Sequence, residues 1–384
     1  YYVSWEGSGG WLELGSFSVA VAQSGSLAGG GGAGAGKATH SDLSFMLGSS
    51  AQLLLLEDAL TSGKHLKDLE IEAYHTGGDG KQLVDQYVFQ DVLVTSLQTS
   101  NSTSNSVSVD FTKFSRGHVE LDDKGGIDEI TETGWDFINN EVFSAPVDAD
   151  LGKNLPEQSV DSSANLEYFI RFEGQDWMSL ESSTLGLSQS GSFSGGGGGA
   201  GKATATDVHT MLGTSGQLVE LSTDLTAGKH IKNVEIEVYR VGGEQQLVDQ
   251  YYFEDVLLTG LQTSAAGLGT AHSLSFEYGA FNRGHVTQDA KGGVDDIAED
   301  GFNFKTAEDA DGLGPVIAGE AIKSKLEDVD SLSANLDYYV SWEGSGGWLE
   351  LGSFSVAVAQ SGSLAGGGGA GAGKATHSDL SFML

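Results

Sequence analysis

The chain has no cysteine, few cations and no long apolar run. Without a single cysteine in 384 residues there is no disulfide, no thiolate metal site and no cysteine nucleophile. Lysine and arginine number 19 against 54 aspartates and glutamates, for a formal charge of -35. That excess repels phosphate backbones and anionic bilayers, so neither nucleic acid nor a membrane surface is expected as a partner. Nowhere do 18 apolar residues run together, which argues against a membrane-spanning helix. The first residue is Tyr rather than Met, so the sequence is silent on any leader.

What is present is repetition. Residues 1–47 recur letter for letter as residues 338–384. Such identity, glycine run included, points to a window cut from a longer array, because 47 residues supply only the first strands of a domain and cannot bury a core alone. A weaker repeat lies inside the first. Gly63-Lys-His65, Asp91-Val92 and Leu97-Gln-Thr-Ser100 return as Gly228-Lys-His230, Asp255-Val256 and Leu261-Gln-Thr-Ser264. Ser163-Ala-Asn-Leu-Glu167 matches Ser333-Ala-Asn-Leu-Asp337 and sets the expected boundaries: domain A at 1–167, domain B at 168–337, and a further copy of A beginning at 338–384. Each full domain is large enough to bury its own core.

The residue pattern is mainly that of strands. Leu69, Ile71 and Ala73 alternate with Glu70 and Glu72, and Val107, Val109 and Phe111 alternate with Ser108 and Asp110, the period of a sheet with one wet face. Residues 49–60 break the pattern and read as a short helix with a serine start and a stop at Gly63; residues 215–226, closed by Gly228, repeat it. Each domain is therefore expected to be a β-barrel or sandwich carrying one short α-helix. An acidic extension follows each barrel, at 116–167 after a barrel of about 1–115 and at 282–337 after one of about 168–281. Phe137, Ile138, Val142 and Phe143 in the first extension, and Phe302, Phe304, Val316 and Ile317 in the second, are the apolar residues expected to anchor it to the barrel.

The shared order of motifs carries a resemblance. An aromatic strand, a glycine run ending in Gly34-Ala-Gly-Lys37 or Gly199-Ala-Gly-Lys202, then the helix, Gly-Lys-His, Asp-Val and Gln-Thr elements, is similar to the haemolysin-coregulated protein (Hcp) family, the tube proteins of type VI secretion. The resemblance implies a small β-barrel with a helix on its side, six of which close into a ring, and rings that stack into a hollow tube. It further implies that the glycine loop, represented by Gly31, Gly32, Gly34, Gly36 and Lys37 in A and by Gly196, Gly197, Gly199, Gly201 and Lys202 in B, is an assembly interface. The chain departs from the family pattern in fusing two domains, in iterating the pair, and in the acidic extensions.

Other chemistries fit less well. The glycine run before Lys37 has the spacing of a phosphate-binding loop, but Ala38 and Ala203 stand where a hydroxyl should hold magnesium, and a strand pattern follows where a helix is required. His40, Ser41 and Asp42 hold the residue types of a triad, yet strand neighbours point to opposite faces and B has Ala205 in place of His40. His65, His118, His230 and His285 have no serine and acid repeated around them and read as packing or capping groups. Glu70 and Glu72 read as a solvated face. Asp122, Asp128, Glu129, Asp148 and Asp150, with Asp289, Asp296, Asp309 and Asp311 in B, are the raw material of calcium loops without completing one.

The reading is thus a non-enzymatic structural protein that self-assembles with copies of itself into a hollow tube or filament, secreted or extracellular and bacterial, with A and B alternating around one ring. No cofactor is expected; calcium is the one ion the acidic loops invite. Lumen cargo is left open. The alternatives are a tube component or cargo carrier of a type VI secretion machine, and a calcium-dependent adhesin or matrix protein.

Overall fold

The computed structural model of the chain describes residues 1–23, 37–77, 80–101, 104–122, 127–147, 165–191, 193, 201–241, 246–266, 269–288, 294–314, 337–343, 345–361 and 373–383. It divides into two compact units. Unit 1 is Tyr1–Ser162 with Leu187–Thr204, and unit 2 is Ser163–Gly186 with Ala205–Leu384.

In unit 1, six antiparallel strands close on themselves. Tyr2–Trp5 pairs with Leu12–Ser18 on one side and His65–Gly77 on the other; Leu12–Ser18 pairs with Leu43–Leu47, which pairs with Ser104–Asp110; Gly80–Ser100 completes the circle. Closure gives each of the six strands a partner on both sides. The inward positions are Leu43, Phe45, Leu69, Ile71, Phe89, Leu97, Val107 and Val109, all 1% exposed or less. Unit 2 repeats the circle with Asn165–Phe172, Met178–Gln189, Val208–Leu212, Gly269–Glu277, Gln246–Ala266 and His230–Val241.

The longest strand of each barrel changes partner halfway. Residues 85–90 of Gly80–Ser100 pair with Lys113–Leu121, whereas residues 93–100 pair with Ser104–Asp110. Asp91 lies at the switch with φ 52°, and Asp255 lies at the matching switch with φ 54°. Left-handed backbone is tolerated by aspartate better than by branched residues, and the Asp91 carboxylate is held there by the Thr112 hydroxyl at 2.7 Å.

The helices form where the sequence places them. Helix α1 spans Ala51–Ser62; the Ser50 side chain accepts from Leu53 N at 3.3 Å, and Gly63 closes the helix at φ 69°. Helix α2 spans Gln217–Ala227 and closes at Gly228, φ 64°. Leu53, Leu56 and Leu60 of α1 and Leu221 and Leu225 of α2 are fully buried.

The acidic extensions begin as sheet. Ile127–Asp136 pairs with Lys113–Leu121 and then with Glu141–Val142, and Val294–Asn303 does the same in unit 2 with Ala280–Gln288 and Glu308–Asp309. Phe137 is buried against Phe111, ring centroids 5.9 Å apart, and Phe302 is buried beside Phe304. Two expected anchors are not anchors: Ile138 is 49% and Val142 76% exposed. Ile138 lies in the turn that Asp136 caps and Val142 in a two-residue edge strand, so neither faces a second layer. Val316 and Ile317 lie outside the described residues. Glu72 also departs from expectation, being fully buried rather than solvated. Its neighbours explain this: the Tyr74 hydroxyl donates to it at 2.6 Å and Gln86 Nε2 at 3.3 Å, with Tyr2 and Gln86 opposite it on the flanking strands.

Candidate assembly interface

The glycine loop occurs three times in the chain, and its neck is built alike each time. Val21–Gln23 pairs with Ala38–His40, and the third copy pairs Ser353–Gln360 with Ala375–His377. A threonine hydroxyl reaches across the neck in every copy: Thr39 to Ala22 O at 3.5 Å, Thr204 to Ser188 O at 3.4 Å, and Thr376 to Ala359 O at 3.4 Å. Two residues further on, a backbone N–H donates back across the hairpin: Ser41 to Ala20 O, Thr206 to Gly186 O and Ser378 to Ala357 O, at 2.9, 2.8 and 2.9 Å.

Most of the expected interface glycines fall beyond what is described. Gly31, Gly32, Gly34, Gly36, Gly196, Gly197 and Gly199 lie outside the described residues. Lys37 and Lys202 are exposed at the necks, and Gly201 approaches Ser190 and Gly191 so closely that a Cβ would meet Gly191 N at 2.5 Å. Lys37 is followed by strand Ala38–His40 and not by a helix, as the reading against a phosphate loop requires.

The three hairpins differ in what they touch. The first is a separate two-stranded ribbon, with Val21 51% exposed and Ala22 and Gln23 exposed. Residues Leu187–Thr204, which belong by sequence to the second repeat, lie within unit 1. There the strand ending at Gln189 pairs with Gly80–Ser100, and Leu187, Gln189 and Ala203 are 2%, 7% and 3% exposed. Phe193 is buried, its N–H donating to Asp110 Oδ2 at 2.9 Å and its ring standing edge-on to His65 at 5.0 Å. Within unit 2 the third hairpin is seated the same way. Ser353–Gln360 adds antiparallel to residues 260–266, with Leu261 opposite Val358 and Thr263 opposite Val356. Gln262 Nε2 donates to Ser355 Oγ at 3.4 Å, the Thr270 and Tyr338 hydroxyls meet, and α2 packs alongside. Gln360 is buried; with its amide oriented to suit its neighbours, the nitrogen donates to Leu258 O at 3.2 Å and the oxygen accepts from Gly373 N at 3.1 Å.

In unit 2 the seat includes the Leu-Gln-Thr-Ser stretch of the long strand, residues 261–264; in unit 1 it lies on the corresponding long strand, Gly80–Ser100. The sequence displayed this motif in both domains, but its role depends on a strand supplied from another repeat, which no local pattern announces. Strand addition gains main-chain hydrogen bonds worth about 0.5–1.5 kcal/mol each after desolvation, and alternate side chains choose the register.

The histidines and acids take structural positions. His40 is stacked on Phe111 at 4.0 Å and tilted against Phe137 at 4.4 Å, and its Nδ1 faces Ser41 O at 3.1 Å rather than the Ser41 hydroxyl. Asp42 accepts from Thr95 Oγ1 at 2.7 Å, so the three do not form a triad. His118 Nδ1 lies 3.0 Å from Asp85, which also accepts from Arg116 at 2.9 Å. His285 lies 2.9 Å from Asp249, with Arg283 at 3.7 Å, and His230 lies 3.1 Å from Asp255. Cross-strand register makes the first two clusters, since Asp85 is opposite His118 and Asp249 opposite His285. The recurrence of Val-Asp-Gln-Tyr and Arg-Gly-His-Val in both domains was the signal for this pairing. In each barrel a buried glutamate is served by a tyrosine and a glutamine: Glu237 accepts from Tyr239 at 2.7 Å and Gln250 at 3.0 Å, as Glu72 does from Tyr74 and Gln86. Burial pushes the Glu237 carboxyl above the usual range, and the nearby Glu235 charge adds to it. Among the described residues no three His, Asp or Glu side chains gather closely enough to hold a metal ion. Asp148, Asp150 and Asp289 lie outside the described residues, and Asp309 accepts from Asp311 N within its own turn at 3.0 Å. No described helix is long and apolar enough to cross a membrane.

Comparison with known proteins follows the same lines. No curated protein matches the chain. Among solved structures, it is similar to a type six secretion system protein, with 18% identity and a TM-score of 0.36 over 38% of this chain and 100% of that one. It is also similar to Hcp1 from Salmonella typhimurium, at 14% identity and a TM-score of 0.31 over 38% and 99% of the two chains. A third likeness is to a type VI secretion system effector from Yersinia pestis, at 15% identity and a TM-score of 0.27 over 35% and 98%. The family model described as "Type VI secretion system effector, Hcp" matches twice, at residues 3–118 and 172–285, which together make up more than half of the sequence. With a match on each barrel, the chain belongs to the Hcp family as a tandem of two such domains.

Proposed function

We propose that this protein is a structural one, whose repeats assemble with copies of the same chain into a hollow, ring-stacked tube or filament outside the bacterial cell. The observation that supports the reading is the seated hairpin: each barrel receives a strand from the repeat that follows it in sequence. The contact is heterologous, since donor hairpin and acceptor strand are different segments of a repeat, and such contacts propagate rather than close into pairs. Covalent fusion makes it intramolecular and raises the effective concentration of donor over acceptor. Because the glycine hairpin serves successive repeats, this reading favours A and B in successive layers over their alternation around one ring. Membership of a secretion-system family supports a second reading, a tube component or cargo carrier of that machine. Negative-stain microscopy of the purified chain tests the first: tubes or ring stacks are expected, and dispersed single particles at all concentrations would overturn it. Averaged side-chain density then separates the two layer arrangements, by rings built of one domain type or of both.

A further inference from the structure

The two barrels share a row of side chains and differ at one position in it. In unit 2 the row runs Leu212, His272, Thr263, Val356 across four paired strands, the last of them the seated hairpin. In unit 1 the same register places Asn105 between Leu47 and Thr99. Residues directly opposite one another share a face of the sheet, so each row is continuous. Asn105 is fully buried; it accepts from Thr99 Oγ1 at 2.8 Å and donates from Nδ2 to Leu47 O at 3.4 Å. His272 is 8% exposed, with Nδ1 2.9 Å from Thr263 Oγ1 and Nε2 3.3 Å from Thr214 Oγ1. An amide and an imidazole fill the same place, and only the imidazole titrates near neutrality. We infer that His272 makes the unit 2 seat acid-labile, so that a proton on its ring releases residues 353–360 from residues 260–266, while unit 1, with Asn105 in that barrel position, has no such release.

The ring joins the two surfaces on which the hairpin rests. Thr263 belongs to the acceptor strand and lies opposite Val356, and Thr214 stands just before α2, which packs against the hairpin strands. A neutral imidazole offers one donor and one acceptor, and the two hydroxyls meet both. A second proton puts charge among neutral partners from which water is excluded. Leu212 and Thr263 face the ring from the strands on either side and Thr214 from the root of α2; Glu181, at the bulge where Met178–Gln189 meets Val208–Leu212, is the one charge the described residues bring to bear on it. Burial lowers the pKa of His272, and the Glu181 charge offsets only part of that. Once the hairpin leaves, water reaches the ring and it takes the proton in the ordinary imidazole range. Seating is therefore at full strength above that range and loses stability as pH falls through it. Acid then opens one of the two kinds of joint between repeats and spares the other. The inference rests on the seated hairpin but not on ring closure or on what the repeats build.

Hydrogen exchange on the full-length chain tests this, with each rate referred to the free-chain rate at the same pH. From about pH 7.5 to about pH 5 the parent is expected to lose protection at residues 353–360 by about three-fold or more, with residues 187–189 of the unit 1 seat unchanged. His272→Asn, which carries the unit 1 residue, is expected to keep the protection seen at the higher pH and to remove the acid loss. Protection in the parent that is the same at both pH values, an acid loss of equal size at residues 187–189, or a loss that survives His272→Asn overturns the inference and leaves the seat standing. No protection at residues 353–360 even at the higher pH overturns the seat, and the inference with it. Should His272→Asn unfold unit 2, exchange of the ring's own C2 proton decides in the parent. Its pH midpoint is expected below that of the same ring in denaturant, and a midpoint at or above it overturns the inference.

Discussion

The two barrels hold the same three residues at the same register, and treat them differently. In unit 1, Arg116 and His118 beside Asp85 are 48% and 44% exposed; in unit 2, Arg283, Asp249 and His285 are 0%, 1% and 13% exposed. Each arginine also lies over a tyrosine ring, Tyr87 at 5.4 Å and Tyr251 at 5.0 Å. Strand pairing brings the groups together in both cases, and burial decides what the contact is worth. In water an arginine–carboxylate pair trades one set of partners for another; sealed from water, each charge depends on the other.

Removing one partner should therefore separate the barrels sharply. Arg283→Met leaves Asp249 buried beside a neutral chain, and unit 2 is expected to lose about 3–5 kcal/mol in urea unfolding. Arg116→Met in the exposed cluster is expected to cost unit 1 about 0–1 kcal/mol. Similar losses in the two variants would show that the difference in exposure has no energetic consequence.

The helix starts extend the comparison at lower cost. Ser50 is the N-cap of α1 and accepts from Leu53 N, whereas the N-cap of α2 is Gly216, which has no side-chain bond to offer; the Ser215 hydroxyl beside it accepts from Gln217 N at 3.3 Å and donates to Gln217 Oε1 at 2.8 Å. Ser50→Ala is expected to destabilise unit 1 by about 1 kcal/mol, and Ser215→Ala to cost unit 2 less than half of that. Thermal unfolding of the two variants reads the difference.

The smallest effect is one of pH. Because the Glu237 carboxyl is raised in the folded state, chiefly by burial, folded unit 2 holds its proton to higher pH than the unfolded chain does. Its contribution is fully present below the unfolded value and is lost as pH rises through the raised one. Unit 2 of the Glu237→Gln variant, which cannot ionise there, should show a flatter stability profile across that window than the parent. An unchanged slope would remove Glu237 as its source.

Much of this architecture was legible in the sequence. Alternation at Leu69, Ile71 and Val107, Val109 marked barrel strands, and a serine start at residue 49 with a stop at Gly63 marked a helix to within two residues of Ala51–Ser62, because period and capping are local properties. Glu72 was misread for the same reason: alternation assigns a face, and only cross-strand Gln86 and same-face Tyr74 reveal that the face is covered. The exposure of Ile138 and Val142 was hidden likewise, since apolar character does not specify a facing layer. The hairpin seat was the least legible feature. Gln98-Thr99 recurs as Gln262-Thr263, but the use of residues 260–266 as an edge for another repeat's strand is a property of two segments far apart in the chain.

Identical sequences in unlike surroundings allow the central claim, that each barrel seats the hairpin of the following repeat, to be tested directly. Gln23 is exposed and its counterpart Gln360 is 7% exposed, in a chain with no cysteine of its own. Single cysteines at the two positions, Gln23→Cys and Gln360→Cys, can be labelled with a thiol reagent under native conditions and again in denaturant. The account expects equal rates in denaturant and, in the native chain, labelling at 360 slower than at 23 by about ten-fold or more, a protection of about 1.4 kcal/mol. Equal native rates would contradict it, since the third hairpin would then be no more seated than the first.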